Sequence, residues 1–288
     1  MLLAVDYSSM LYRGFHATPA SIPMNGVHGC LGMLARVISD RRPTALAIAV
    51  DDDWRPQFRV DALPSYKTHR VAESDEADDA VAPQEALGRS LFAAVGLAVV
   101  AATGYEAEDV IATLAAGSDQ PVEILSGDRD LFALVQDRHV SVLYPQKGVR
   151  ELARVDEAWI TARYGIPGRA YGDFALLRGD PSDGLPGVAG IGEKTAAALI
   201  ARYGSLDALL AAPDLGPAVA RKIEAGRAYL QAARRVVLPL ATCALAAHAP
   251  LKLPTRVADE QALAAIAREH RLGGAIERLL VALGMASA

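Results

Sequence analysis

Three features of this 288-residue chain predict an α/β fold, a mostly parallel sheet flanked by helices and followed by an all-helical module. Short apolar runs alternate with stretches of helical periodicity up to about Trp159, the order that builds a parallel sheet wrapped on both faces. Beyond that point the periodicity is helical alone. Between Arg178 and Ala196, reading RGDPSDGLPGVAGIGEKTA, two carboxylates stand beside a glycine-dense hairpin that opens a helix.

Leu2 to Val5 reads as a buried strand ended by Asp6, with Ser8 and Ser9 as helix-start residues. Asn25-Gly26 reads as a break, after which Val27, Leu31, Leu34 and Ile38 recur at helical spacing. Ala45 to Val50 is a second strand, ended by Asp51, Asp52 and Asp53. Residues 54–82 lose apolar periodicity and carry Arg55, Arg59, Tyr66, Lys67, His69 and Arg70 before an acidic run, the character of a functional loop or helical cover. Pro83, at a first helical position, is expected to start a helix over Gln84 to Val95. Leu97 to Ala101, Val122 to Ser126 and Val140 to Tyr144 complete the strands. Gly104 leads into a helix with Val110, Ile111 and Leu114 on its inner face, and Leu131 to Val135 should be helical. Later helices are expected at Ala170 to Arg178, Glu193 to Tyr203 and Pro217 to Gln231, after the Ser205 and Asp259 caps, and last, beyond Gly273-Gly274, with Ile276, Leu279, Leu280 and Leu283.

Hydrophobic residues make up 52% of the chain, enough for a well-buried core. A net charge of −5 argues against a polycation that coats nucleic acid, though a local basic face is compatible with it. Cys30 and Cys243 sit in apolar surroundings without metal-type spacing, which predicts reduced thiols and a cytoplasmic, nucleoid-associated protein. The N-terminus lacks a signal-peptide pattern and no stretch reaches membrane-span length, so no membrane partner is expected.

Ligand sites in such sheets lie beyond the C-terminal ends of the strands. Asp6, Asp51, Asp128 and Asp130 all follow strands, and Glu106, Glu108 and Asp109 share the start of one helix. With Asp180 and Asp183 they form an acidic set whose mutual repulsion calls for cations. Each acid alone reads more readily as a cap or a solvated loop residue; the convergence is what favours metal. Oxygen ligands without a His or Cys cluster suit Mg²⁺ or Mn²⁺. Two such ions roughly 3.5–4 Å apart can activate water and stabilise the departing oxygen in phosphodiester cleavage. Asp52, Asp53 and the run Glu73 to Asp79 read as structural or solvated.

YEAEDV at 105–110, GDRD at 127–130 and GDPSDGLPGVAGIGEKTA at 179–196, in that order, resemble the bacterial 5′ nuclease family. This family contains stand-alone 5′→3′ exonucleases, flap endonucleases and the N-terminal nuclease domain of DNA polymerase I. The resemblance runs from Leu3 to about Leu210. It implies a PIN-like catalytic domain over 1–165 with a helical gateway at about 54–82. A helix-hairpin-helix DNA-binding module would follow over 166–250, and C-terminal helices over 251–288 would pack on the body. It implies a first metal region of Asp6, Asp51, Glu106, Glu108, Asp109 and Asp128, and a second of Asp130, Asp180 and Asp183, with Asp109 and Asp128 central to catalysis. Glu108 stands where the family usually has Asp, and Gly184 where Asn usually follows.

The resemblance also makes Lys67 and Arg70 catalytic cations at the scissile phosphate and places Tyr12, Arg13, Arg59 and Tyr66 near the DNA. Stacking of a base on an aromatic such as Tyr66 is worth about 1–3 kcal/mol. Without the resemblance, Tyr66 reads as a half-buried tyrosine and Arg59 as a surface ion pair. Gly190, Gly192, Lys194 and Thr195 would grip a duplex phosphate, and K⁺ is expected against the hairpin carbonyls.

The expected reaction leaves 5′-phosphate and 3′-hydroxyl ends at junctions of duplex and 5′ single strand. The expected partner is DNA with a 5′ flap or a 5′ single-stranded end, with RNA 5′ strands left open. The chain is expected to act as a monomer, with a separate DNA polymerase and ligase. A DNA-junction binding module with a decayed site is the non-enzymatic alternative. A haloacid-dehalogenase-like phosphatase ranks below it, since Arg55 occupies the position where that motif needs Thr or Val.

Overall fold

The computed structural model describes residues 1–68, 76–146 and 151–285. Six strands, β1 (Leu2–Asp6), β2 (Ala45–Ala49), β3 (Ala98–Val100), β4 (Val122–Leu125), β5 (Val140–Pro145) and β6 (Leu152–Val155), form one sheet ordered β3-β2-β1-β4-β5-β6. Neighbours are parallel except β5 and β6. β1, β2 and β4 are buried at every position because helices cover both faces, which is why their sequences are uninterruptedly apolar.

The chain adds β2 and β3 on one side of β1, then returns to place β4 on the other. Strand order therefore reverses between β1 and β4, and the crevice beyond their C-terminal ends is where such sheets bind ligands. Register pairs Asp6 with Ala49 and Val5 with Leu125, so the residues that follow these strands leave the sheet on a single edge.

One face is covered by α1 (Tyr7–Ala17), α2 (Asn25–Arg41) and α4 (Glu76–Val95), with α3 (Gln57–Ala62) between β2 and α4. The C-terminal helices α12 (Glu260–Glu269) and α13 (Gly273–Ala282) join that layer, burying Met10, Leu31, Phe92 and Ile276 together. The other face packs on α5 (Ala107–Ala116). Its core continues through Phe132, Tyr171, Ile200 and Leu230 into α6 (Glu157–Tyr164), α7 (Tyr171–Arg178), α8 (Glu193–Tyr203), α9 (Leu206–Ala211), α10 (Pro217–Ala225) and α11 (Arg227–Val237). Sheet edge and helical module are thus joined by one continuous core. Phe132 touches Tyr144, Trp159 and Tyr171 edge-on at ring separations of 5.2–5.8 Å, pinning the turn after β4 to the module.

Several elements differ from the sequence expectation. Asp6, rather than Ser8 or Ser9, caps α1 by accepting from the Ser9 N–H. Asn25 begins α2 instead of breaking the chain, because its side-chain amide donates to the carbonyls of Phe15 and Thr18 at the end of α1. α4 starts at Glu76 and runs through Pro83, so Pro83 is internal and not the first helical residue. The expected helix over Pro217 to Gln231 is two helices, parted at Gly226. Leu131 to Val135 forms a tight 3₁₀ turn over Asp130–Leu134. β6 lacks an apolar signature since three of its four residues are partly exposed at the sheet edge. Ser205 and Asp259 cap their helices as expected. Among the described residues no helix is long and apolar enough to cross a membrane.

Candidate active site

Asp6 closes β1 with both oxygens engaged: Oδ1 accepts from the Ser9 N–H at 3.1 Å and Oδ2 from the Ser126 hydroxyl at 2.6 Å. Burial pushes its carboxyl up to about 7, against the Ser126 bond and with the help of the Asp51 and Asp128 charges. Asp51 accepts from the Ser8 hydroxyl at 2.6 Å and from the Ala107 N–H at 2.7 Å, which places it at the positive end of α5. Asp128 accepts from the Asp130 N–H at 2.8 Å, and its own N–H donates to Ser126 Oγ at 2.9 Å. Ser126 therefore ties the ends of β1 and β4 together. Ser9 does the same by accepting from the Gly127 N–H at 2.9 Å.

Glu108 and Asp130 have a different character. Both are buried, and no hydrogen-bond donor among the described residues reaches either carboxylate. Burial raises both carboxyls well above the usual range; the Asp128 charge raises each further, with Glu106 adding at Glu108 and Asp183 and Asp180 at Asp130. Asp180 caps the 3₁₀ turn Pro181–Asp183, accepting from Ser182 and, at 3.4 Å, from Arg178. This turn carries Asp183 to the Asp130 side of the rim.

The structure thus gathers Asp6, Asp51, Glu106, Glu108, Asp128, Asp130, Asp180 and Asp183 around the switch point. Among the described residues no three acidic, His or Cys side chains are arranged, as they stand, to hold an ion. The donor set nevertheless suits a hard cation: every candidate is a carboxylate, and two are buried without a compensating donor.

Glu106 and Asp109 are neutralised internally. Glu106 accepts from Arg59, from Lys67 and, at 2.8 Å, from the Tyr66 hydroxyl. Asp109 accepts from Arg59 at 2.8 Å and from the Leu240 N–H at 2.7 Å. Three expectations are corrected here. Asp109 is fully buried and braces α5 against the chain at Leu240, so it is not at the open centre of the rim. Arg59 is fully buried and Tyr66 is 1% exposed, so neither offers a face to DNA in this conformation. Lys67 reaches the rim, but its ammonium lies on Glu106 with burial opposed by the Glu106, Glu108 and Asp183 charges, which hold its pKa above the usual value. Arg70 lies outside the described residues.

The same segment is latched to the acidic loop. The Lys67 N–H donates to the Asp183 carbonyl at 3.0 Å and the Ser65 hydroxyl to the Gly184 carbonyl at 2.9 Å. Arg13 lies over the loop after β4, since a Cβ on Gly127 would stand 2.6 Å from its Nη2, and Tyr12 beside it is 38% exposed. Asp52 and Asp53 accept from the Gly104 and Arg55 N–H groups, as structural turns do. The positioning residues Ser9 and Ser126 carry no motif: Ser9 reads only as a helix-start residue and Ser126 only as the end of an apolar run.

The hairpin stands at the end of this loop. Val188 and Ile191 anchor it in the core while Gly190, Gly192, Lys194 and Thr195 are exposed. Gly192 precedes α8 without a side-chain cap, which leaves first-turn N–H groups for an anion.

A sheet edge of crowded carboxylates, joined through one core to a glycine hairpin at a helix start, defines a PIN-like nuclease architecture. Residues 1–165 match the family described as "5'-3' exonuclease, N-terminal resolvase-like domain", and residues 166–261 that described as "5'-3' exonuclease, C-terminal SAM fold". A 5′-3′ exonuclease of Streptomyces coelicolor is 43% identical over 98% of this chain and 99% of its own length. One of Mycobacterium tuberculosis is 42% identical over 98% and 97%. The thermostable DNA polymerase I of Thermus aquaticus is 37% identical over 77% of this chain and 26% of its own length. The chain belongs to the 5′-3′ exonuclease family and is a nuclease. Its fold is shared with the bacteriophage T5 flap endonuclease solved with DNA and metal ions, at a TM-score of 0.66, 18% identity and 99% coverage of both chains.

Proposed function

We propose that this nuclease is a Mg²⁺- or Mn²⁺-dependent, structure-specific enzyme that hydrolyses DNA near the junction of duplex and 5′ single strand, releasing both flap oligonucleotides and short 5′ products. The observation that carries this reading is the pair of buried carboxylates that no donor among the described residues reaches, Glu108 and Asp130, both acted on by the Asp128 charge at the switch point. Related structures solved with DNA and divalent ions support it.

Asp6, Glu108 and Asp128 would hold a cation on the β1 side, and Asp130 and Asp183 on the hairpin side. A divalent ion bound there supplies an activated water and offsets charge on the departing oxygen. The chain's own residues do the rest. Ser8, Ser9 and Ser126 fix the strand ends, Arg59 and Lys67 neutralise Glu106 so that α5 can present Glu108, and Arg13 lies where a phosphate beside Asp128 would pass. The hairpin holds the duplex at a distance set by the loop from Asp183 to Gly190. The protein acts as a cytoplasmic monomer, and a separate polymerase and ligase complete the repair.

Product mapping on a 5′-labelled flap duplex with Mn²⁺ tests this. Release of the intact flap oligonucleotide marks endonuclease action and mononucleotides mark exonuclease action. A flap that is bound but uncut, with Asp128→Asn binding equally well, overturns it.

A further inference from the structure

The hairpin's expected potassium ion meets an obstacle in this chain. The Lys222 ammonium donates to the Gly190 carbonyl at 2.9 Å. Gly190 has φ +77°, and a Cβ there would stand 3.0 Å from Lys222 Cε and 3.1 Å from Nζ, so the lysine lies directly across the hinge. The neighbouring hairpin carbonyls are also engaged: Val188 accepts from the Ile191 N–H at 2.9 Å and Gly192 from the Ala196 N–H at 2.9 Å.

The placement of Lys222 is set by the helix that carries it. Ile223 is 2% exposed in the shared core, and a Cβ on Gly226 would stand 3.1 Å from both methyl groups of Val188, so α10 sits flush against the hairpin. A positive charge held on the Gly190 oxygen repels a second cation at that oxygen. An ammonium has three N–H groups and uses one here, which leaves two for a backbone phosphate. Lys222 is exposed and can meet one.

We propose that Lys222 is a tethered monovalent cation: its ammonium takes the place of a bound potassium ion at the hairpin and contacts the DNA backbone, so that the duplex grip does not depend on potassium. This inference rests on the nuclease reading above.

The test is fluorescence anisotropy of the full chain with a labelled flap duplex, with Ca²⁺ in place of Mg²⁺, in KCl, NaCl or choline chloride at equal ionic strength. The wild type is expected to show the same Kd in all three salts. Lys222→Met should bind about three- to tenfold more weakly in choline chloride, the loss expected for one hydrogen bond of ordinary net strength at an exposed site. KCl should restore part of that binding, and the slope of log Kd against log salt should fall by about 1. Lys222→Arg should keep the potassium independence. Because Lys222 is exposed, an unchanged melting temperature verifies the fold of each variant. Tighter wild-type binding in KCl than in choline chloride, or wild-type affinity of Lys222→Met in every salt, overturns the proposal. Failure of the wild type to bind in any salt instead removes the nuclease reading, and this inference with it.

Discussion

A Cβ on Gly184 would stand 2.2 Å from the carbonyl oxygen of Ser65, a contact that only glycine allows. Gly184 also has φ +71°, so the residue serves both the turn after Asp183 and the close docking of the 54–68 segment. The departure from the family's usual Asn is thereby explained: an Asn side chain fits the left-handed turn but not the latch. Gly184→Asn is predicted to lift this segment, increasing its cleavage in limited proteolysis and costing about 1–3 kcal/mol of stability. Unchanged proteolysis would show that the latch does not hold the segment.

Arg59 is the only cation that bridges Glu106 and Asp109 among the described residues, and all three are buried. Arg59→Met leaves Asp109 uncompensated and is predicted to cost about 3–5 kcal/mol in urea denaturation. Asp109→Asn in the same chain should recover part of the loss. A near-neutral Arg59→Met would mean that the backbone donors and Lys67 suffice.

Ser126→Ala removes the hydroxyl that serves Asp6 and the Asp128 N–H. The predicted cost is about 1–3 kcal/mol, because a buried carboxylate and an N–H each lose a partner. Flap cleavage should fall with it. Full activity at reduced stability would separate the strand-end tie from function.

Asp130→Asn removes a charge that has no donor among the described residues, so the metal-free protein should become more stable. Thermal melting without divalent ions checks the sign: a higher midpoint supports the crowded rim, and a lower one contradicts it.

Cys30 is buried, and burial pushes its thiol up to about 12, while burial also raises Cys243. Burial both disfavours the thiolate and shields the sulfur, so neither should react with an aromatic disulfide until the protein is denatured. Rapid labelling of the folded chain would contradict this burial.

The acidic edge was legible in the sequence because Asp6, Asp51 and Asp128 each end an apolar run, and strand ends in a parallel sheet share one side. The hairpin was legible from three closely spaced glycines before a helical run. What escaped reading depends on partners far apart in the chain. Arg59 meets Glu106 across 47 residues and Lys222 meets Gly190 across 32, and no local pattern marks either pair. The inward turn of Tyr66 escaped for the same reason. Pro83 misled because its usual place at helix starts outweighed the turns before it, and the split at Gly226 because helical spacing continues on both sides.

Glu108 and Asp130, buried carboxylates that no donor among the described residues reaches, are the centre of the account: they receive a divalent cation. Calorimetric titration of Mn²⁺ into the wild type, Glu108→Gln and Asp130→Asn tests it most directly. Binding by the wild type that weakens by at least about tenfold in each variant, or about 1.4 kcal/mol, is the predicted result. Equal Mn²⁺ affinity in all three proteins would contradict it.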